Sequence, residues 1–239
     1  MDWRDRGIVL SARRHGESAA IVNLLTRDHG RHAGLVRGGS GRKLKGTLQP
    51  GNLVAATWRG RLAEHLGSYT VELEHAVPAT FLDDANRLAC LASACAVAEQ
   101  ALPERHPYAA LYDGFMALLE ALGGDSPHWD AVYVRWELGV LEVLGFGLDL
   151  KSCAVTGSND DLVYVSPRTG RAVSASAGEP YRERLLVLPG FLIGRDVESR
   201  DDVALGLRLT GHFLERHLFD GEKNGPPPAR ERFVARQAR

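Results

Sequence analysis

The sequence predicts an α+β protein, in which a small five-stranded β-barrel precedes a mostly α-helical region with one short hairpin. Three observations carry that expectation. Five β-leaning runs, each bounded by turn residues, crowd the chain before His75. From Pro78 the composition turns alanine- and leucine-rich with helical periodicity. The charge changes sign there too: residues 1–62 hold 12 Lys/Arg against 4 Asp/Glu, a net +8, and residues 81–165 hold 4 against 13, a net −9.

The β-leaning runs are Ile8–Ala12, Ala20–Thr26, His32–Arg37, Leu53–Trp58 and Ser68–Leu73. Arg27-Asp28-His29-Gly30 separates the second from the third, and Gly30 supplies the positive φ of a tight hairpin turn. A polar loop, residues 38–46, and then Leu48-Gln49-Pro50-Gly51 lead into the fourth. Closing five short strands into a barrel removes exposed sheet edges. An SH3-like barrel and an OB-fold fit this pattern equally well.

Beyond Pro78, Ala79–Leu102 reads as a helix with Asp83 and Asp84 in its first turn, where carboxylates complement the helix dipole. Pro107–Leu122 places Leu111, Phe115, Leu118 and Leu122 on one stripe. A Gly/Pro break at residues 123–127 precedes a third amphipathic helix, Trp129–Leu144. Residues 162–173 read as a hairpin, a last long helix runs from about Arg200 to Phe219, and the tail has a Pro226-Pro227-Pro228 stop before a short charged segment. The expected domains are therefore 1–77 and 78–239.

Composition narrows the function classes. The 239 residues are 44% apolar and 25% charged with a net charge of −1, so the chain is no polycation. The longest charge-free apolar stretch, Leu88–Ala98, is far short of the ~20 residues that span a bilayer. The start, Met-Asp-Trp-Arg-Asp-Arg, has no apolar signal core. Three cysteines make no paired framework, which fits a reducing compartment. These features predict a cytoplasmic protein with no membrane partner. Arginine outnumbers lysine 25 to 4, which we read first as codon bias.

No pattern announces catalysis. Gly41-x4-Gly46 is followed by Thr47 and Leu48, so the lysine and the magnesium-binding hydroxyl of a P-loop are out of register. Nothing reads Gly-x-Ser-x-Gly or His-Glu-x-x-His. His212 and His217 are five apart on a helix, the wrong spacing for a shared metal. Cys90 and Cys95 read as small buried hydrophobes. Cys153 stands alone, with Thr156 where the second thiolate of a zinc knuckle belongs. The expectation is a non-enzyme with no catalytic residue, no metal and no cofactor. An enzyme whose groups converge only in space stays open.

The basic module is the informative part. Arg13 and Arg14 close the first strand, Arg37 ends the third, Arg42, Lys43 and Lys45 sit in the loop, and Arg59 and Arg61 leave the fourth. Converging on one barrel rim, they form a phosphate-tracking surface. The plainer reading is a solvated face, but +8 over 62 residues exceeds what solubility needs. Trp58 beside Arg59 is read first as barrel core and second as a base-stacking ring.

Laid out in this order, the chain resembles the RecO family of bacterial recombination-mediator proteins. The residues that carry the likeness are Gly7-Ile8-Val9-Leu10 with Arg13, Gly16-Glu17-Ser18, Thr26-Arg27-Asp28-His29-Gly30-Arg31, Val36-Arg37-Gly38-Gly39 and Leu44-Lys45-Gly46-Thr47-Leu48-Gln49-Pro50. Further along come Trp136-Glu137-Leu138, Leu144-Gly145-Phe146-Gly147-Leu148, Cys153 and Arg208-Leu209-Thr210-Gly211-His212-Phe213-Leu214. The resemblance implies an N-terminal OB-fold followed by a helical, partner-binding domain. It implies binding of single- and double-stranded DNA, annealing of complementary strands, and help in loading RecA onto DNA coated by single-stranded DNA-binding protein. The implied partners include RecR, often RecF, and the acidic C-terminal tail of the coating protein, at the nucleoid. Many members carry a four-cysteine zinc site, of which only Cys153 stands here.

Within the acidic region, Arg135 is the only Lys/Arg between Arg105 and Lys151, which makes it the candidate to fork the tail's terminal carboxylate. The plainer reading pairs it with Glu137 or Glu142. The alternative to a DNA mediator is an OB-fold adaptor whose basic face docks an acidic protein and binds little DNA itself.

Overall fold

The computed structural model describes residues 1–62, 64–197, 199–219 and 225–237. They form two compact units, residues 1–126 with 227–230, and residues 127–226 with 231–239. The composition break at Pro78 thus ends the barrel, while the first two long helices share a unit with it.

The first unit opens with β1 (Asp2–His15), β2 (Ala19–Thr26), β3 (Gly30–Val36), the one-turn α1 (Arg42–Lys45), β4 (Leu53–Arg59) and β5 (Ser68–His75). The strands close a barrel in the order β1-β2-β3-β5-β4, with β3 and β5 parallel and β4 returning to β1. That order is of OB type, and the SH3-like alternative drops out. β1 is much longer than its predicted Ile8–Ala12 because it serves two neighbours. Residues 7–15 pair with β2 and residues 2–8 with β4, across a bulge between Val9 and Ser11. Its charged first turn of strand, Asp2 to Arg6, hides this extension from a hydrophobicity reading.

Val9, Val22, Leu24, Val54, Ala56, Trp58 and Tyr69 fill the barrel. Trp58 is core, 1% exposed, and its Nε1–H donates to the Leu66 carbonyl at 3.1 Å. Gly30 has φ +66° as the turn requires, and a Cβ there would lie 2.0 Å from the His106 carbonyl oxygen. The position therefore needs glycine twice over, for conformation and for space.

After a 3-10 turn at Val77–Phe81, α2 (Ala85–Ala101) begins later than predicted. Asp84 is its N-cap, accepting from the backbone N–H groups of Asn86 and Arg87. α3 (Ala109–Gly123) follows and buries Leu111, Phe115, Leu118 and Leu122, the predicted stripe.

The second unit holds α4 (Trp129–Val143), β6 (Leu162–Val165), β7 (Ala172–Ser174), the short α5 (Ala175–Gly178), β8 (Leu186–Val187) and α6 (Arg200–Leu218). The predicted hairpin gains a third strand, in the order β7-β6-β8, from a two-residue β8 too short to show a period. α4 packs on α6, and the buried Glu137 fastens them by accepting from Tyr133 Oη–H at 2.6 Å and from the Thr210 hydroxyl. α6 ends at Leu218, with Phe219 as its C-cap, well before the proline triplet. Pro228 is the first residue of α7 (Pro228–Gln237), where a missing N–H costs nothing.

Candidate nucleic-acid interface

The structure sorts the barrel's cations into two sets. Four are consumed by carboxylates: Arg13 with Glu99 at 2.9 Å, Arg27 with Asp113 at 3.0 Å, Arg31 with Glu104 at 3.3 Å and Arg6 with Glu74 at 2.5 Å. Three of those carboxylates lie beyond the barrel, on or after α2 and on α3. The Arg27 guanidinium holds the Asp113 carboxyl below its ordinary range. Arg37, Arg42, Lys43, Lys45, Arg59 and Arg61 are exposed and form no ion pair among the described residues. Arg14 is exposed as well, bonded only to the carbonyls of Gly16 and Glu17 in its own hairpin.

The register brings part of this second set to one end. Arg14 pairs with Ala20, and Ala20 with Val36 next to Arg37, so the end of β1, the start of β2 and the end of β3 form one rim. Arg59 pairs with Ser68 and with Asp2, so the end of β4 lies beside the start of β1, at the other end of that strand from Arg14. The loop after β3 is fastened at the Arg14 rim rather than waving in solvent. Ser40 N–H donates to Ser18 O at 3.0 Å and its hydroxyl to Ala19 O at 2.6 Å. A Cβ on Gly39 would lie 2.8 Å from Ala20 Cβ, so only glycine lets the loop pass this close.

α1 is then held by its apolar residue. Leu44 packs on the barrel core while Arg42, Lys43 and Lys45 stay exposed. Asn52 Nδ2 donates to the Gly46 and Thr47 carbonyls at 2.8 and 3.1 Å and ties the loop's exit. Between this loop and the β1–β2 hairpin lies a groove of about 390 Å³. Arg14 and Lys45 line it with Ser40 and Gln49, together with the apolar Ala12, Leu48 and Pro50. Cations, hydrogen-bonding groups and apolar surface in one groove can hold a sugar-phosphate strand. Ser40 and Gln49 escaped the sequence reading, because a polar loop residue carries no signal until its fold places it. Trp58, by contrast, offers no ring to this rim.

Residues 1–76 match the family model described as Recombination protein O N terminal, and residues 82–225 match Recombination protein O C terminal. The chain belongs to the RecO family. It is 58% identical over 238 residues to a protein of Rhodospirillum centenum named DNA repair protein RecO, covering 99% of this chain and 94% of that one. A protein of the same name from Rhodospirillum rubrum is 54% identical over 245 residues, covering 100% and 97%. Another from Phenylobacterium zucineum is 53% identical over 232 residues, covering 96% and 95%.

A four-cysteine zinc site, which the resemblance implies for many members, does not fit the residues present here. Around the buried Cys153 Sγ stand donors, not ligands: Ser174 N–H at 3.3 Å and Ser174 Oγ–H at 3.4 Å, with Thr156 completing the set. Among the described residues no cluster of three His, Cys, Asp or Glu could hold a metal ion. Burial pushes the Cys153 thiol up, but these hydrogen bonds outweigh it and bring it down to about 6.

Arg135 is not paired with either carboxylate the sequence offered it. Glu137 is buried against Tyr133 and Thr210, and Arg135 instead donates to the Phe191 carbonyl at 3.0 Å, with its guanidinium 5.5 Å from the centre of the Phe191 ring. One turn along the same face of α4, Leu138 borders a cavity of about 800 Å³ that Lys151 and Arg195 also line. Among the described residues no helix is long and apolar enough to cross a membrane.

Proposed function

We propose that this chain is a DNA repair and recombination mediator that binds single- and double-stranded DNA and anneals complementary strands. The observation that carries the reading is the groove lined by Arg14 and Lys45, beside the exposed Arg42 and Lys43 of α1, none of them in an ion pair among the described residues. Arg14, Arg37, Arg42, Lys43, Lys45, Arg59 and Arg61 are the chain's phosphate contacts, with Arg13 supporting while shared with Glu99. Annealing needs no covalent chemistry. It needs two polyanions held close with their repulsion neutralised, and base pairing then supplies the free energy. The chain accordingly needs no cofactor and acts at the nucleoid in the cytoplasm.

Loading RecA onto coated DNA further requires a hold on the coating protein. We assign that to Arg135 and the adjoining cavity, where Lys151 and Arg195 stand beside the apolar Leu138, Leu148 and Ile193, with Glu142 and Asp149 also in the lining, for an acidic tail ending in an apolar residue. RecR is the expected partner in the same step, with RecF and RecA beyond it. The test is annealing of two complementary oligonucleotides, bare and coated, with and without the protein. Faster annealing in both cases supports the mediator. Absence of salt-dependent binding to bare oligonucleotide replaces it with the adaptor reading.

A further inference from the structure

The second unit carries an aromatic ladder that no step above uses. Phe146 stacks on His217 with ring centroids 4.6 Å apart and planes 11° from parallel, and His217 in turn lies nearly parallel to Phe213 at 6.2 Å and 6°. Phe213 is buried at one end of this ladder, while Phe146 at the other is 37% exposed. One face of Phe146 is covered by His217, so its exposure falls on the opposite face and edge. Gly145, next to it in the chain, has φ +87°, and a Cβ there would meet nothing within 4 Å.

Cations flank the ladder. Arg216 precedes His217 on α6 and donates to the Pro167 carbonyl at 2.9 Å, and His212 Nε2 lies 3.0 Å from the same oxygen. Arg168 follows Pro167 in sequence and is exposed. Arg168 and Arg216 form no ion pair among the described residues, while the nearby Asp149 is already paired with Arg171 at 3.4 Å. Burial and the charges of Arg216 and His212 push His217 below its ordinary value, which favours the uncharged ring that stacks as a π-face.

We propose that the open face of Phe146, backed by His217 and flanked by Arg168 and Arg216, is a second contact for single-stranded nucleic acid, taking one unstacked base. This rests on the mediator reading and deepens it, since annealing needs a hold on each of two strands. A base needs only a flat face and a cation for its phosphate.

The test uses the full chain and an oligothymidylate carrying 5-iodouracil, which cross-links to stacked aromatic rings. The cross-link should map to Phe146 or His217 as well as to the barrel. In an Arg42→Glu, Lys43→Glu, Lys45→Glu background the residual affinity should fall roughly fivefold or more on Phe146→Ala and be kept by Phe146→Tyr. Cross-links confined to residues 1–62, or residual affinity indifferent to Phe146→Ala, overturn the proposal. So does a Phe146→Ala chain that loses an acidic peptide but keeps its oligonucleotide, which makes the surface a protein contact. If the cross-link maps to Phe146 while the wild-type chain fails to anneal, this contact stands and the annealing reading falls.

Discussion

The Glu99 carboxylate holds Arg13 at 2.9 Å, and the same oxygen accepts from Ser11 Oγ–H at 2.6 Å and Asn23 Nδ2–H at 2.9 Å. One carboxylate on α2 thus gathers three donors from β1 and β2. Glu99→Ala should cost about 2–3 kcal/mol in urea unfolding, because it strips a half-buried cluster and leaves Asn23 Nδ2 only the Ser11 hydroxyl as acceptor. Arg13→Ala should cost less than about 1 kcal/mol, since the arginine is 74% exposed in its pair. It should also change the salt dependence of DNA binding less than any single loop cation.

That salt dependence is the signature of the rim. Changing Arg42, Lys43 and Lys45 together to Glu should weaken oligonucleotide binding and flatten the slope of log K against log salt by ~0.7 per lost contact on single strands. An unchanged slope would remove the loop from the docking surface.

Gly30 faces a backbone carbonyl, not a flexible side chain. Gly30→Ala should therefore destabilise by about 1–3 kcal/mol for the left-handed backbone alone, with the carbonyl clash in addition. A thermal melt should register a drop of roughly 5 °C or more.

Arg135 lends itself to a separation of functions. Arg135→Ala should lower affinity for the coating protein's tail peptide by ~1.5–3 kcal/mol, the value of a charge-assisted contact. Titration of the same variant with bare oligonucleotide should match the wild type. Equal peptide binding by both proteins would leave Arg135 as a strut to Phe191.

Cys153 predicts a pH dependence. Its folded value of about 6 lies below the ordinary thiol value of 9.0, so the stabilisation is complete above pH 9 and is lost as pH falls toward 6. Urea midpoints should rise between pH 6 and pH 9, and Cys153→Ser should flatten that rise. Chelator should leave the melting temperature where it was, since the groups around Sγ are donors.

The sequence by itself determined the barrel, the helices and the excess of positive charge before residue 62. Each is written locally, as β-leaning runs between turn residues, as helical stripes, and as a count of side chains. Gly30 was legible for the same reason, because a tight turn demands its φ. Short or charged segments were not legible: the start of β1, the two-residue β8 and α7 owe their form to neighbours rather than to their own periodicity. Which cations are free was equally beyond the sequence. Arg13 and Arg14 are adjacent in the chain, yet one is paired with Glu99, 86 residues away, and the other lines the rim groove. The flat stack of Phe146 on His217 joins residues 71 positions apart. Charge and propensity belong to residues, but pairing and stacking belong to distances, and only the folded chain sets those.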